Sequence, residues 1–308
     1  MPQTTFKSFH SLSVEHPGFV KHPKFWTVHH LAVVKCSFQR VEADDAQESV
    51  VLDTEQAEQM TKSALRLARE KLADMKHFWV AELLLGNKPT PITFIHESNY
   101  RLYFDYGHYR VPLWDSNVRI YCIKKDICIP AADPIIGYYK YTADKERQQK
   151  LDAPPGPGGL NNDPFQRICD IKYRQVTPTD WRHDPYIVCL LLSLAQLQDR
   201  MALAPPEGTF LARLFVTNMT DPTNAYVYKA DIPHQLLDSL DVPTRTIDDF
   251  VFPSVDYVVV PFEPYSTFAD RIRVQLAGKE YFSPPGPGPS DKVSPSEPHG
   301  EKRKRDQE

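Results

Sequence analysis

The chain has 308 residues, of which 41% are hydrophobic, 11% aromatic and 25% charged, a balance that excludes global disorder and allows one large domain or two smaller ones. A formal net charge of -4 excludes a molecule uniformly attractive to nucleic acid or anionic membrane, leaving room only for a local basic patch. Proline is the departure: 28 prolines against 12 glycines is about twice the ordinary share, so loops are fixed and elements interrupted.

Five cysteines, Cys36, Cys122, Cys128, Cys169 and Cys189, include no CxxC pair and read as buried thiols of a reducing compartment. Cys122 and Cys128 with His108 match no zinc spacing. The opening MPQTTFKSFHSLSVEHPGF lacks the continuous apolar core of a secretory signal, and the longest apolar run, VCLLLSLA at 188–195, is far short of the ~20 residues that span a bilayer. The expectation is a protein of the nucleus or cytoplasm with no membrane partner.

In chain order, residues 1–24, rich in His, Pro and Ser, read as an arm, and FWTVHHLAVVKCSF at 25–38 as a strand because it is β-branched and aromatic. A helix follows at about 54–76: Asp53 or Thr54 caps it, Met60, Ala64, Leu67, Ala68 and Met75 recur at helical spacing, and Glu58 can pair with Lys62. FWVAELLL, ITFIHE, RLYFDY and VRIYCIKKD then read as strands of a meander, with turns at Gly86-Asn87 and Gly107-His108. YYKYTADKERQQK at 138–150 interleaves tyrosines with cations, which suits a solvated loop or helix end and also single-stranded nucleic acid.

DAPPGPGGLNNDP at 152–164 reads as a mobile Pro/Gly insertion, and RICDIKYR at 167–174 as a strand. Asp184-Pro185 opens PYIVCLLLSLAQLQDRM, apolar on nearly all sides through Leu197 and therefore a buried central helix; Gln196 and Gln198 at its end suit either a substrate phosphate or loop backbone groups. Strands follow at 210–218 and 225–232, joined by Met219-Thr220-Asp221-Pro222-Thr223, then a short helix from Pro233 with Leu236, Leu237 and Leu240. DYVVVPF at 256–262 is a further strand, and Ser266 caps a helix with Phe268, Ile272 and Leu276 on one face, stopped by Gly278. These elements define a mixed α/β fold over residues 25–282: a central mixed sheet, a buried helix and flanking helices.

Residues 283–308 lack the apolar surface to order themselves and form a proline-rich, basic tail. Pro284 and Pro287 have the PxxP spacing that an SH3 or WW groove reads, and PPGPG occurs both here and at 154–158. Lys302, Arg303, Lys304 and Arg305 form a basic cluster that suits a nuclear-import receptor or is a solvated charge run.

One constellation bears on catalysis. On a strand, Asp170 and Lys172 share a face, as a metal-dependent nuclease requires of its (D/E)xK pair. With the order helix, strands, buried helix, strands, residues 54–232 resemble the PD-(D/E)XK nuclease superfamily, whose core is a helix, a three-stranded meander, a second helix and a further strand. The resemblance implies Mg²⁺ held by Asp170 and a second carboxylate, Asp115 in VPLWDSNVRIYC or Asp133 in AADP, with Lys172 beside the attacking water. Pro112 stands three residues before Asp115, and neither aspartate directly follows a proline. HDPYIVCLLLSLAQLQ and VVVPFEPYSTFADRI also resemble proteins of filamentous fungi, which implies no activity. There is no GxSxG, GxxxxGK[ST], HExxH or GxGxxG. The sequence thus favours a non-catalytic, cofactor-free interaction protein with protein partners; the alternative is a Mg²⁺-dependent nuclease, or an inactive nuclease-like protein that binds nucleic acid.

Overall fold

The computed structural model describes residues 7–43, 54–85, 92–96, 101–113, 118–125, 135–201, 208–247 and 250–278. The elements are α1 (Phe9–Glu15), α2 (Val28–Val34), β1 (Phe38–Arg40), α3 (Thr54–Arg69), α4 (Ala73–Leu85), β2 (Ile92–His96), β3 (Tyr103–Tyr106), β4 (Tyr109–Pro112), β5 (Val118–Lys125), β6 (Ile135–Tyr141), α5 (Ala143–Lys150), α6 (Asp163–Val176), α7 (Pro185–Arg200), β7 (Thr209–Asn218), β8 (Asn224–Pro233), α8 (His234–Asp241), β9 (Val255–Pro261) and α9 (Tyr265–Ala277). Short 3₁₀ turns lie at Pro23–Phe25, Pro157–Gly159 and Trp181–His183.

A seven-stranded mixed sheet runs in the order β1–β9–β8–β7–β6–β5–β2, and β3 and β4 form a separate two-stranded ribbon. β2, β5 and β6 are an antiparallel meander, while β6 and β7 are parallel and joined through α5, α6 and α7. β7, β8 and β9 are antiparallel neighbours, and β1 adds parallel to β9 at the edge.

Period-two alternation sorts the central strands onto two faces. Tyr139 and Tyr141 of β6, Leu214 and Val216 of β7, Tyr226 and Tyr228 of β8 and Tyr257 of β9 join the core around α7. Their neighbours Ile136, Tyr138, Phe215, Val227 and Val258 join a second core with Met60 and Leu67 of α3, Val80 and Leu84 of α4, and Ile272 and Leu276 of α9. The fold is therefore a three-layer mixed α/β sandwich, with α7 buried along its length from Pro185 to Gln198. Gly137 sets how closely α7 approaches: a Cβ there would lie 2.8 Å from a terminal carbon of both Leu194 and Leu214, so a larger side chain would push helix from sheet.

α7, β7, β8, α8 and β9 lie where the sequence places them, as do β2, β5 and the Gly107 turn, where φ is +55°; β3 is a strand but pairs with β4 outside the meander, and α9 begins at Tyr265 after Pro264, with Ser266 inside it rather than capping it. Other segments depart. The expected arm at 1–24 is in its described part packed into the core, with Phe9, Leu12 and Phe19 buried. The expected strand at 25–38 is instead α2 followed by β1. The N–H of Thr27 donates to His30 Nδ1 at 3.0 Å in a capping box, Leu31 and Val34 are buried one turn apart, and Lys35 ends the helix at φ +58°.

The helix expected at 54–76 is two helices, and FWVAELLL, expected as a strand, belongs to the second. Burial of Lys76, His77, Val80, Leu83 and Leu84 at helical spacing decides it. Residues 138–150 are neither loop nor stacking platform: Tyr138, Tyr139 and Tyr141 are buried in β6, and α5 follows. RICDIKYR is helical, because Asp163 and Pro164 open α6 and run through it. Cys36, Cys122, Cys169 and Cys189 are buried thiols outside any disulfide, whereas Cys128 and the Gly86-Asn87 turn lie outside the described residues. Among the described residues no helix is long and apolar enough to cross a membrane.

Candidate functional site

The helical conformation of 163–176 removes the geometry on which the Asp170–Lys172 pair depends. Two residues apart on a helix are about 200° apart around its axis, so the two side chains diverge. Both are exposed, and Asp170 accepts a hydrogen bond from Gln166 Nε2 one turn earlier at 3.0 Å. Asp115 and Asp133 lie outside the described residues, as do Pro284, Pro287 and Lys302, Arg303, Lys304 and Arg305. Among the described residues, no group of three His, Cys, Asp or Glu side chains converges as a metal site would require. The described residues thus supply no magnesium cradle around Asp170.

The amides at the end of α7 serve the backbone. Gln196 clamps β3 at Asp105, accepting from its N–H at 3.0 Å and donating to its C=O at 2.8 Å, and Gln198 donates to the Leu211 carbonyl at 3.3 Å. The Asp105 carboxylate also receives Arg110 and, from α7, Arg200. The β3–β4 ribbon is thereby fixed to the C-terminal half of α7. Its register places Phe104 opposite Val111 and Tyr106 opposite Tyr109, and directly opposed residues share a face, so these four side chains form one apolar surface.

The N-terminal segment stands against that surface and is held by buried charges. Arg147 of α5 and Asp184, the N-cap of α7, form a two-pronged pair at 2.7 Å with both side chains fully buried. Asp184 also accepts from the Tyr141 hydroxyl at 2.8 Å and from the Tyr186 N–H at 2.9 Å, while Arg147 Nε donates to the Lys24 carbonyl. The Lys24 ammonium pairs with Glu146, itself bonded by Thr142 Oγ1 at 2.6 Å. Burial works against the charge on Arg147, but the hydrogen bonds and charge of Asp184 outweigh it and hold the guanidinium above its ordinary pKa. Burial, reinforced by Asp184, raises the Tyr141 hydroxyl.

Between these two anchored walls lies an open cleft of about 260 Å³, lined by Phe19, Val20, Lys21, His22, Pro23 and Trp26 from the N-terminal segment and by the apolar face of the ribbon. Trp26 stacks on His30 with centroids 5.4 Å apart and meets Phe104 edge-on at 5.9 Å, which fixes the ring at the cleft floor. At the rim, Tyr109 is 72% and Val20 54% exposed. Aromatic faces, Lys21 beside His22 at the edge and an open mouth suit binding of an apolar group.

Two other places hold buried groups of chemical interest. A hollow of about 370 Å³ beside α2 includes Cys36 and Asp180, but burial pushes the Cys36 thiol up to about 12, so it has no nucleophilic thiolate at neutral pH. On the other side of the sheet, burial and then the neighbouring charge of Lys140 lower Lys76 to about 8, and Lys76 Nζ donates to the Leu67 carbonyl at 2.8 Å. Lys140 is lowered by burial and Lys145, and two positions earlier on the same strand face the Tyr138 hydroxyl shares a 2.8 Å hydrogen bond with Thr217.

Sequence reasoning missed the cleft because its two walls are some eighty residues apart. The available signal was local: aromatics two apart at Phe104 and Tyr106, followed by a glycine turn and Tyr109, which is an aromatic hairpin face.

Asp184→Ala strands a buried guanidinium and should lower the free energy of unfolding by about 3–5 kcal/mol. The paired replacement Arg147→Met with Asp184→Leu should cost less than the single change, as read by urea denaturation. Equal stability of wild type and Asp184→Ala would mean the pair is no anchor. Compared with known proteins, the chain matches no protein-family model and no curated protein.

Proposed function

We propose that this is a non-catalytic protein-interaction protein of the nucleus or cytoplasm, whose protein partner inserts a short apolar or proline-bearing segment into the aromatic cleft. The observation that carries this reading is the cleft itself: rings from two separately anchored walls, open to solvent, with Tyr109 standing at the rim. Aromatic-lined grooves take proline-rich and apolar peptides because such segments lose little entropy and offer flat apolar faces. Lys21 and His22 at the edge can orient a segment carrying a nearby carboxylate.

Tyr109 and Val20 are exposed, so Tyr109→Ala with Val20→Asp should leave the thermal midpoint unchanged while removing the partners that cross-link to wild-type protein in cells. Retention of the same partners by the doubly substituted protein would sink the cleft as their site.

A second reading, a nuclease-like protein that contacts nucleic acid, draws on the element order. α4, the antiparallel β2–β5–β6 meander, the helices through α7 and then β7 follow the core order of the PD-(D/E)XK superfamily. In that alignment the strand before the buried helix is β6, not residues 167–174, and the two-apart pair is Tyr138 and Lys140. A tyrosine bonded to Thr217 in the carboxylate's place favours an inactive relative over a nuclease. Incubated with Mg²⁺ and single- or double-stranded DNA, the full chain should cleave neither. Cleavage that disappears in Lys140→Met but persists in Asp170→Ala would overturn both the non-catalytic reading and the inactive form of the second, and make the chain an active nuclease.

The nuclear part of the proposal rests on the basic cluster at 302–305. Deleting residues 283–308 should shift a tagged protein from nucleus to cytoplasm, and an unchanged distribution would remove the import role.

A further inference from the structure

On the sheet face away from α7, the central parallel strands β6 and β7 end side by side, with Lys140 paired to Thr217 one residue before both ends. Tyr138, two positions earlier on the face that Lys140 shares, has its ring edge-on to His77 of α4 at 5.3 Å, so the first turn of α4 lies over these strand ends. Sheets of this kind take ligands outside the carboxyl ends of their parallel strands.

The charges gathered here do not balance. Lys140 is 5% and Lys76 1% exposed, and neither ammonium forms an ion pair with any described residue. Lys76 donates to the Leu67 carbonyl, whereas the Lys140 ammonium has no hydrogen-bond partner among the described residues and is not among the sealed polar atoms, so it is reached from solvent. Two carboxylates act on the lysines only from a distance. Glu70 is engaged by the N–H groups of Lys71 and Leu72, both at 2.9 Å, and Asp74 stands exposed in the first turn of α4. A covered cation without a counter-ion is costly, and two together repel. The Tyr138–Thr217 bond uses one of two hydroxyl protons, which leaves the other as a neutral donor beside the cations. The amino end of α4 adds the positive pole of a 13-residue helix.

We infer that this is a binding site for a phosphate group, free or as the terminal group of a small organic monoester, seated between Lys140 and Lys76 at the amino end of α4. Lysine serves phosphate as a compact point charge, and backbone N–H groups with a hydroxyl supply the directed bonds. The depth of both lysines favours a terminal phosphate over the phosphodiester of a nucleic-acid strand, which carries a nucleoside on each side. The inference needs neither the cleft, which lies on the other side of the sheet, nor a metal ion or bond cleavage.

Isothermal titration of the full chain with inorganic phosphate at constant ionic strength should show one saturable site, with Kd on the order of 1 mM or tighter. Lys140→Gln should weaken it about tenfold or more without lowering the thermal midpoint, because it removes an unpaired charge. Lys140→Arg, which keeps the charge, should stay within about threefold, and Lys145→Gln, an exposed neighbour, within about twofold. Glycerol 3-phosphate separates the sources: tighter binding than phosphate assigns an organic monoester, and equal binding assigns the free ion. Absence of phosphate binding overturns the inference, as does equal loss in Lys140→Gln and Lys145→Gln, which would make the effect one of general surface charge. Equal loss in Lys140→Arg and Lys140→Gln overturns the role of the Lys140 charge. Binding of single-stranded DNA without terminal phosphates that inorganic phosphate does not displace overturns the choice of a terminal phosphate.

Discussion

A guanidinium and a carboxylate sealed from water, Arg147 against Asp184, tie together three parts of the chain that are distant in sequence. Each ion alone would be strongly penalised in that position, and the pair is tolerable because every oxygen of Asp184 and the Nε of Arg147 also find partners. The requirement is mutual. Asp184 must cap α7, α5 must present Arg147, and the 3₁₀ turn at Pro23–Phe25 must offer its carbonyl, or the charges are stranded. A network of this kind contributes less to net stability than to uniqueness, since it admits one arrangement of the N-terminal segment over the sandwich.

Around that point the architecture follows from α7. A helix apolar on every side has to be enclosed, and here the sheet encloses it on one side while the ribbon, α8 and the N-terminal segment enclose it on the other. The opposite face of the sheet is closed by a conventional amphipathic layer of α3, α4 and α9. The asymmetry explains why openings with functional character occur on the α7 side: irregular pieces cover it, and irregular pieces leave gaps.

Much of this was legible in the sequence where pattern and burial agree. α7 was evident from its all-round apolarity and Asp-Pro start, and β7, β8 and β9 from long β-branched runs bounded by turn residues. The misread segments share a cause. VHHLAVV has strand-like composition, but a Thr27–His30 capping box and burial of one face made it a helix; FWVAELLL is too short a window to show that its buried positions continue from Lys76 and His77. RICDIKYR alternates polar and apolar residues at a spacing compatible with either period, and only the Asn-Asp-Pro start upstream decides it. That one difference of period moved Asp170 and Lys172 from a shared face to opposite sides. The cleft was beyond reach because its walls meet only through tertiary structure.

Both walls of the cleft are fastened to the same rod. The N-terminal wall is tied to Asp184 at one end of α7 and the ribbon wall to Gln196 and Arg200 near the other, attachment points separated by twelve helical residues, or roughly 18 Å. A buried helix does not stretch, so α7 works as a caliper that holds the jaws at a fixed gauge. Occupancy of the cleft would therefore be felt as strain on two distant hydrogen-bond clusters rather than as hinge motion, and the width a guest must match is set by a helix it never touches.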